Sequence, residues 1–235
     1  MTPNVSIGAT PPRINEPGFD RGAAVTRSLL GYGVLVGPFY LAVGLVQALV
    51  RDGFVLARHP LSVLANGPDG WVQTANFVVS GLMVVAASVG FRRVLGSNSL
   101  AASGLLGAFG ASMIVAAVFR ADPMDGFPIG TPEGPPTSIS STGMTHFIAG
   151  TVGFVALAVS CFFAARAMSR RNVRSLARLS FASGLAVLLG FFGGPALSSS
   201  PVLGIWFSVV VGWTWLTILS LHLYRAAPDP NCAPR

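Results

Sequence analysis

The chain has 235 residues, of which 52% are hydrophobic and only 10% charged, and its mean hydropathy is +0.66. A soluble domain usually has about a quarter charged residues, so this chain has too little charge to keep a water-facing surface soluble. The net charge of +7 comes from arginines at the ends of apolar runs, with no basic helix or basic–aromatic patch, which excludes nucleic acid as the predicted partner.

The chain begins and ends with polar segments. Residues 1–24 contain four prolines and no apolar stretch, so we expect a disordered cytoplasmic tail. Residues 25–224 form the predicted transmembrane domain, with extracytoplasmic loops at 51–70 and 120–143, and residues 225–235 form a second cytoplasmic tail.

Six apolar segments are long enough to span a membrane, since a helix needs roughly 20 apolar residues to cross the hydrocarbon core. They are about Val25–Val50, Trp71–Gly90, Leu100–Phe119, Thr145–Ala167, Leu179–Leu197 and Val202–Leu223. The sequence therefore predicts an all-α integral membrane bundle of six transmembrane helices. The glycines and proline at 190–195 should bend or end the fifth helix early, so a re-entrant hairpin of the last two segments is the alternative.

Arginines are distributed unequally between the two sides of this predicted bundle. Twelve of the 15 fall in the two tails and in the second and fourth connections, and only Arg51, Arg58 and Arg120 lie on the opposite side. Because positive charge favours the cytoplasm, we predict that both termini are cytoplasmic and that the protein lies in the plasma (inner) membrane.

Small residues recur one helical turn apart in several of these segments, where they let neighbouring helix backbones approach closely. We therefore predict helix contacts at these positions: Gly33 and Gly37, Gly104 with Gly107 and Gly110, Gly150 and Gly153, Gly190 and Gly194.

The first extracytoplasmic loop contains Asp52, His59 and Ser62, and it precedes a polar start to the second span. Pro60 suits the beginning of a helix and Asn66-Gly67 its end, so we predict a short helix over Pro60–Ala65 at the membrane surface.

The second span begins with Trp71, which suits the interface, followed by two amides. Gln73 and Asn76 are three residues apart and share one helix face, which should point into the bundle.

The third connection has five prolines and four glycines in 24 residues, which predicts either disorder or a lid over the mouth of the bundle. Asp122 follows the third span and His146 begins the fourth, so we expect the two side chains to be neighbours. We predict a polar pocket with catalytic residues Asp52, His59, Asp122 and His146 and substrate-binding residues Ser62, Trp71, Gln73 and Asn76.

The strings RDGF, RHPLS and GPDGWVQTANF, then FRADP and GFP, then a histidine opening the fourth span, occur in this order. In this the chain resembles the bacterial and archaeal membrane family catalogued as domain of unknown function 998, over roughly residues 28–223. The resemblance implies a six-span fold and no reaction. It also implies a site made of Asp52, His59, Ser62, Trp71, Asn76, Asp122, Pro123 and His146.

Three functions remain open at this point, with membrane lipids or another apolar small molecule as the expected partner and no cofactor assigned. A partly desolvated acid with aromatic neighbours suits an isoprenoid (terpene) cyclase. His59, His146 and Asp122 could instead bind zinc in a lipid hydrolase, although the chain has no HxxxH pair. The third possibility is a non-enzymatic partner or envelope-sensing protein, in which these residues only join the outer loops.

Overall fold

The computed structural model describes residues 19–136, 138–197 and 200–231. Their long helices are α1 Arg21–Val50, α2 Gly70–Leu95, α3 Leu100–Val118, α4 Ser141–Arg170, α5 Arg174–Leu197 and α6 Pro201–Ala226. Short 3-10 helices lie at Leu61–Ala65 and Ser97–Ser99. All six long helices have the length and hydropathy needed to cross a membrane, α5 included, so the predicted all-α, six-span membrane protein is confirmed.

Several helices extend beyond the predicted apolar segments, because polar residues cap them in the interface. Asp20 accepts a hydrogen bond from the Ala23 N–H (3.0 Å), and α1 begins at Arg21. The prediction of a disordered tail is therefore wrong for residues 21–24, and residues 1–18 lie outside the described part. The arginine that ends α4, Arg170, interacts favourably with the helix dipole there.

The six helices form a closed ring in chain order, in which each contacts the next and α1 also packs against α6. The first and last described segments of the chain meet at one end of this ring. The Asp20 N–H donates to the Pro230 carbonyl (2.8 Å), and Arg27 pairs with Asp229 (3.4 Å). We call this the tail end, and we call the opposite end, with the connections α1–α2 and α3–α4, the lid end.

Close helix contacts occur at most of the predicted glycines. A Cβ atom on Gly110 would lie 2.7 Å from the carbonyl oxygen of Gly81, so α2 and α3 touch backbone to backbone. By contrast, a Cβ on Gly104 or Gly150 would meet nothing within 4 Å, so the predicted contact is wrong at these two positions. The other predicted glycines against a neighbouring side chain or backbone are Gly33, Gly37, Gly107, Gly153, Gly190 and Gly194.

The connections at the lid end are folded over the bundle, and we call their described residues within 51–69 and 119–140 the lid. The predicted short helix is confirmed at Leu61–Ala65, where Leu61, Val63 and Leu64 are buried. From the other connection Phe127 is only 1% exposed. The third connection is therefore a lid, one of the two predicted possibilities.

Candidate functional site at the lid end

Two carboxylates and one arginine join the two halves of the lid. The Arg58 guanidinium donates to the Asp125 carboxylate (3.0 Å) and carbonyl (3.1 Å), and it also pairs with Glu133. The Gly134 N–H adds a hydrogen bond to the Asp125 carboxylate (3.1 Å). The Arg58 guanidinium, assisted by that N–H, holds the pKa of Asp125 below its usual range, while the two carboxylates raise the pKa of Arg58.

His59 lies at the centre of the lid and is fully buried. Its Nδ1 accepts a hydrogen bond from the Val55 N–H (2.9 Å), so the proton is on Nε2, which donates to the Asp125 carbonyl (3.0 Å). The ring packs against Phe54 and Phe127, with centroids 5.2 and 5.6 Å away, and these two phenylalanine rings also contact each other. Both ring nitrogens are therefore occupied, Nδ1 within the first connection and Nε2 across to the second.

A second arginine, at the C-terminal end of α1, anchors the short helix of the lid. Arg51 donates to the carbonyls of Leu64 (2.5 Å) and Asn66 (2.7 Å), and its guanidinium lies 4.9 Å from the centre of the Phe127 ring. The Asn66 amide in turn donates to the Ala121 carbonyl (3.0 Å). The lid is thus closed by contacts that lead from α1 through both connections.

Asp122 lies at the N-terminus of α4. One carboxylate oxygen accepts from the Ser140 hydroxyl (2.6 Å) and the other from the Ser140 N–H (3.0 Å). The carboxylate also packs against Gly143 so closely that a side chain there would overlap it. Since Ser140 is the N-cap of α4, Asp122 extends the cap and places negative charge at the positive end of the helix dipole.

His146 lies one helical turn beyond Gly143, on the same face of α4. Its Nδ1 lies 3.0 Å from the Ala116 carbonyl and 2.8 Å from the Phe119 carbonyl, so this nitrogen is the donor. These carbonyls end α3, and the histidine therefore caps that helix. The ring is partly exposed, and within the described ranges its Nε2 has no hydrogen-bond partner.

The two predicted amides are buried between α1 and α2, together with Gln47, which the sequence analysis missed. Gln47 and Asn76 both donate to the Gln73 side-chain oxygen (2.8 and 3.2 Å), and Asn76 also donates to the Tyr40 carbonyl (3.1 Å). The remaining Gln47 oxygen and Gln73 nitrogen have no partner among the described residues. These amides form a small polar cluster below the lid.

Four other predicted residues lie apart from this network. Asp52 is exposed and has no ion pair within the part of the chain that the structure describes. Ser62 is partly buried on the short helix, and Trp71 is 67% exposed at the beginning of α2, as an interfacial anchor would be. Pro123, in the lid beside Asp122, is exposed as well.

The structure thus brings Asp122 and His146 to one junction of α3 and α4, and places His59 in the lid, with Gln73 and Asn76 below. Sequence reasoning missed the partners that hold these residues, namely Arg51, Arg58, Asp125, Glu133, Ser140 and Gln47. The only available signal was that all six are polar and that five of them lie in the same two connections. No group of three or more His, Cys, Asp or Glu side chains suited to a metal ion occurs among the described residues.

The comparisons with known proteins identify a family and add no activity. No curated protein and no solved structure matches the chain. A family model described as "Protein of unknown function (DUF998)" matches residues 34–222, so the chain belongs to that family.

Proposed function

We propose that this protein binds an apolar membrane molecule with a hydroxyl-bearing head at the α3–α4 junction of the lid end, and that His146 accepts a proton from it. The observation behind the proposal is the difference between the two lid-end histidines. His59 has both nitrogens occupied, whereas His146 has Nδ1 fixed by two carbonyls and Nε2 unpartnered.

A histidine in this state is suited to proton transfer. With Nδ1 donating to backbone carbonyls, the neutral ring presents its lone pair at Nε2, which is the arrangement of many catalytic and metal-binding histidines. Asp122 does not orient this ring, because its carboxylate bonds to Ser140 and makes no hydrogen bond to His146. The orienting groups are instead the carbonyls of Ala116 and Phe119.

The surface around His146 suits an apolar tail. Phe147, which follows His146 on α4, is 65% exposed, and Val118, at the end of α3 that His146 caps, is 68% exposed. In a membrane these side chains face lipid, so a bound molecule can lie along them while its head reaches the interface where His146 stands.

The orientation follows the arginine distribution. We infer that the lid end is extracytoplasmic and the tail end cytoplasmic in the plasma membrane, because twelve of the 15 arginines lie in the tail-end segments. The proposed junction would then open to the outer leaflet.

The two more specific enzyme hypotheses have less support. A cyclase needs an acid inside an apolar pocket, yet the described carboxylates lie at the ends of the bundle and its interior polar groups are amides and hydroxyls. A zinc hydrolase needs three or four converging ligands. In the described part of the chain His59 and His146 bond to different backbone carbonyls and share no such group.

A non-enzymatic role is the second candidate, and the closed lid favours it. The two connections are joined by Arg51, Arg58, His59 and Asp125. Few hydrogen-bonding groups of these side chains remain to bind a substrate. In that case the lid is a rigid platform for a partner, and His146 is only a helix cap.

Substitutions of His146 separate these roles, because asparagine and glutamine each imitate one ring nitrogen. His146→Asn keeps a donor near the Nδ1 position and removes Nε2, while His146→Gln places an amide near Nε2 and removes the cap. Membranes containing wild type or either variant would be offered host lipids and isoprenoid alcohols, and their apolar extracts compared by mass spectrometry. His222→Asn, on α6 at the tail end, is the matched control.

We expect a wild-type-dependent product that both His146 variants lose by roughly 100-fold or more, as for a general base, with the His146→Asn protein as heat-stable as wild type. If product formation survives in His146→Asn, the proton-transfer role is excluded. If no extract differs and only His146→Gln loses stability, His146 is a helix cap and the platform role stands.

A further inference from the structure

We propose that the tail end holds an anionic phospholipid in a groove between α4 and α5. The groove has a volume of about 520 Å³, within the range of small-molecule sites in proteins. It lies at the opposite end of the bundle from His146, so this proposal is independent of the function proposed for the lid end.

The groove has an apolar floor and a basic rim. Phe162 and Ala165 from α4 and Phe181 from α5 line its floor, and Arg166 and Arg178 stand at its edge. The α4 residues recur at intervals of three and four and therefore share one helix face. Phe181 is 58% exposed, so the floor is open toward the lipid that surrounds the bundle.

The rim arginines have no counter-charge within the described ranges. Neither Arg166 nor Arg178 forms an ion pair there, and both side chains are exposed. The described carboxylates at this end have other partners, since Asp20 caps α1 and Asp229 pairs with Arg27. Two uncompensated guanidinium groups at the membrane interface attract anionic head groups, and arginine suits phosphate in particular.

A second cavity adjoins the first on the other side of α4. It has a volume of about 320 Å³ and is lined by Leu100, Phe163, Arg166 and Arg170 among others. Arg166 therefore stands between two grooves, each with a phenylalanine in its lining and a second arginine at its edge. This repetition of an aromatic floor beside two basic groups fits an amphiphile with a negative head better than a free anion.

The predicted orientation supports the same occupant. With the tail end in the cytoplasm, the groove opens to the cytoplasmic leaflet, where the surface potential of anionic lipids is negative. A phospholipid phosphate can lie between Arg166 and Arg178 while an acyl chain lies along Phe162 and Phe181.

Native mass spectrometry of the full chain in detergent tests the site. The protein would be mixed with phosphatidylglycerol or phosphatidylcholine of identical chains, with and without inorganic phosphate. We expect preferential retention of phosphatidylglycerol that inorganic phosphate does not displace. The double variant Arg166→Gln/Arg178→Gln should lose roughly tenfold or more of that affinity. Phe181→Ala should lower it without any change of charge, because the chain contact is removed.

The matched control removes the same charge elsewhere at the tail end. Arg92→Gln/Arg225→Gln alters two exposed arginines that line neither groove, and we expect phosphatidylglycerol retention as in wild type. Equal losses in both double variants would mean diffuse electrostatic attraction and would overturn the site. So would equal retention of the two lipids, or displacement by inorganic phosphate. The two double arginine variants should show wild-type thermal unfolding, since the substituted side chains are exposed.

Discussion

At the scale of single residues, the two lid-end histidines show why residue type alone does not assign a role. Both lie beside apolar segments, and the sequence predicted both as catalytic candidates. Their difference depends on which carbonyls and N–H groups reach each nitrogen. Val55 and Asp125 occupy both nitrogens of His59, whereas His146 meets acceptors at Nδ1 only.

Other residues of the lid could not be paired from the sequence. Arg58 contacts Asp125 and Glu133 across 67 and 75 residues of chain, and nothing in the spacing of the two connections indicates that pairing. Gln47 was missed because it stands alone in an apolar run, while Gln73 and Asn76 were found through their shared helix face. Local periodicity is visible in a sequence, and contacts between distant segments are not.

The ion pair in the lid leads to a prediction about acid. Because Arg58 lowers the pKa of Asp125, the pair stabilises the lid above the ordinary aspartate pKa of about 3.9. This contribution is lost only as the pH falls through the lower pKa of the folded state. Arg58→Gln should return the Asp125 pKa toward its usual value, so the acid midpoint of lid protection should move to higher pH.

Hydrogen–deuterium exchange of lid peptides measures this midpoint, with wild type and variant compared at each pH so that intrinsic exchange rates cancel. Arg120→Gln removes the same charge from an exposed arginine without an ion pair among the described residues, and its profile should overlay that of wild type. A midpoint for Arg58→Gln equal to or below the wild-type value would show that Arg58 does not hold the Asp125 carboxylate.

At the scale of helices, sequence prediction was most successful. Each span was found from a run of apolar residues, because a bilayer of fixed thickness demands that length. The ends were less accurate, since α4 extends from Ser141 to Arg170 through capping and interfacial residues that are not apolar. The small-residue pattern was correct at Gly110 and wrong at Gly104, since spacing alone does not tell which face meets a neighbour.

These two glycines of α3 provide a matched pair of substitutions. Gly110→Ala would force a Cβ atom to within 2.7 Å of the Gly81 carbonyl oxygen, and the α2–α3 contact would have to open. We expect a loss of about 1–3 kcal/mol, typical of overpacking. Gly104→Ala meets nothing within 4 Å and should be neutral or stabilising by up to about 1 kcal/mol, because alanine favours the helix.

Thermal unfolding of the two variants in the same detergent decides between these outcomes. The contact between α2 and α3 is supported if the Gly110→Ala protein unfolds at a clearly lower temperature than both wild type and Gly104→Ala. Equal unfolding temperatures for the two variants would show that the helices do not approach as closely as the structure indicates.

At the scale of the whole molecule, the closed ring brings the first and last described segments of the chain together. The Asp20–Pro230 hydrogen bond and the Arg27–Asp229 pair follow from the contact of α1 with α6, which no sequence pattern predicted. An even number of spans was enough to place both ends on one side. Which side this is depends on the arginine distribution. The same assignment decides which membrane leaflet each of the two proposed sites faces.

The measurement that tests this assignment most directly is labelling of intact cells with a membrane-impermeant maleimide. The chain has two cysteines, and Cys161 is fully buried, so labelling reports on Cys232, which lies outside the described residues. Ile129→Cys in a Cys232→Ser background is the control for the lid end, because Ile129 is 73% exposed there. We expect Cys232 to be labelled only after permeabilisation and the Ile129→Cys protein to be labelled in intact cells. Labelling of Cys232 in intact cells would reverse the orientation and move the His146 junction to the cytoplasmic side.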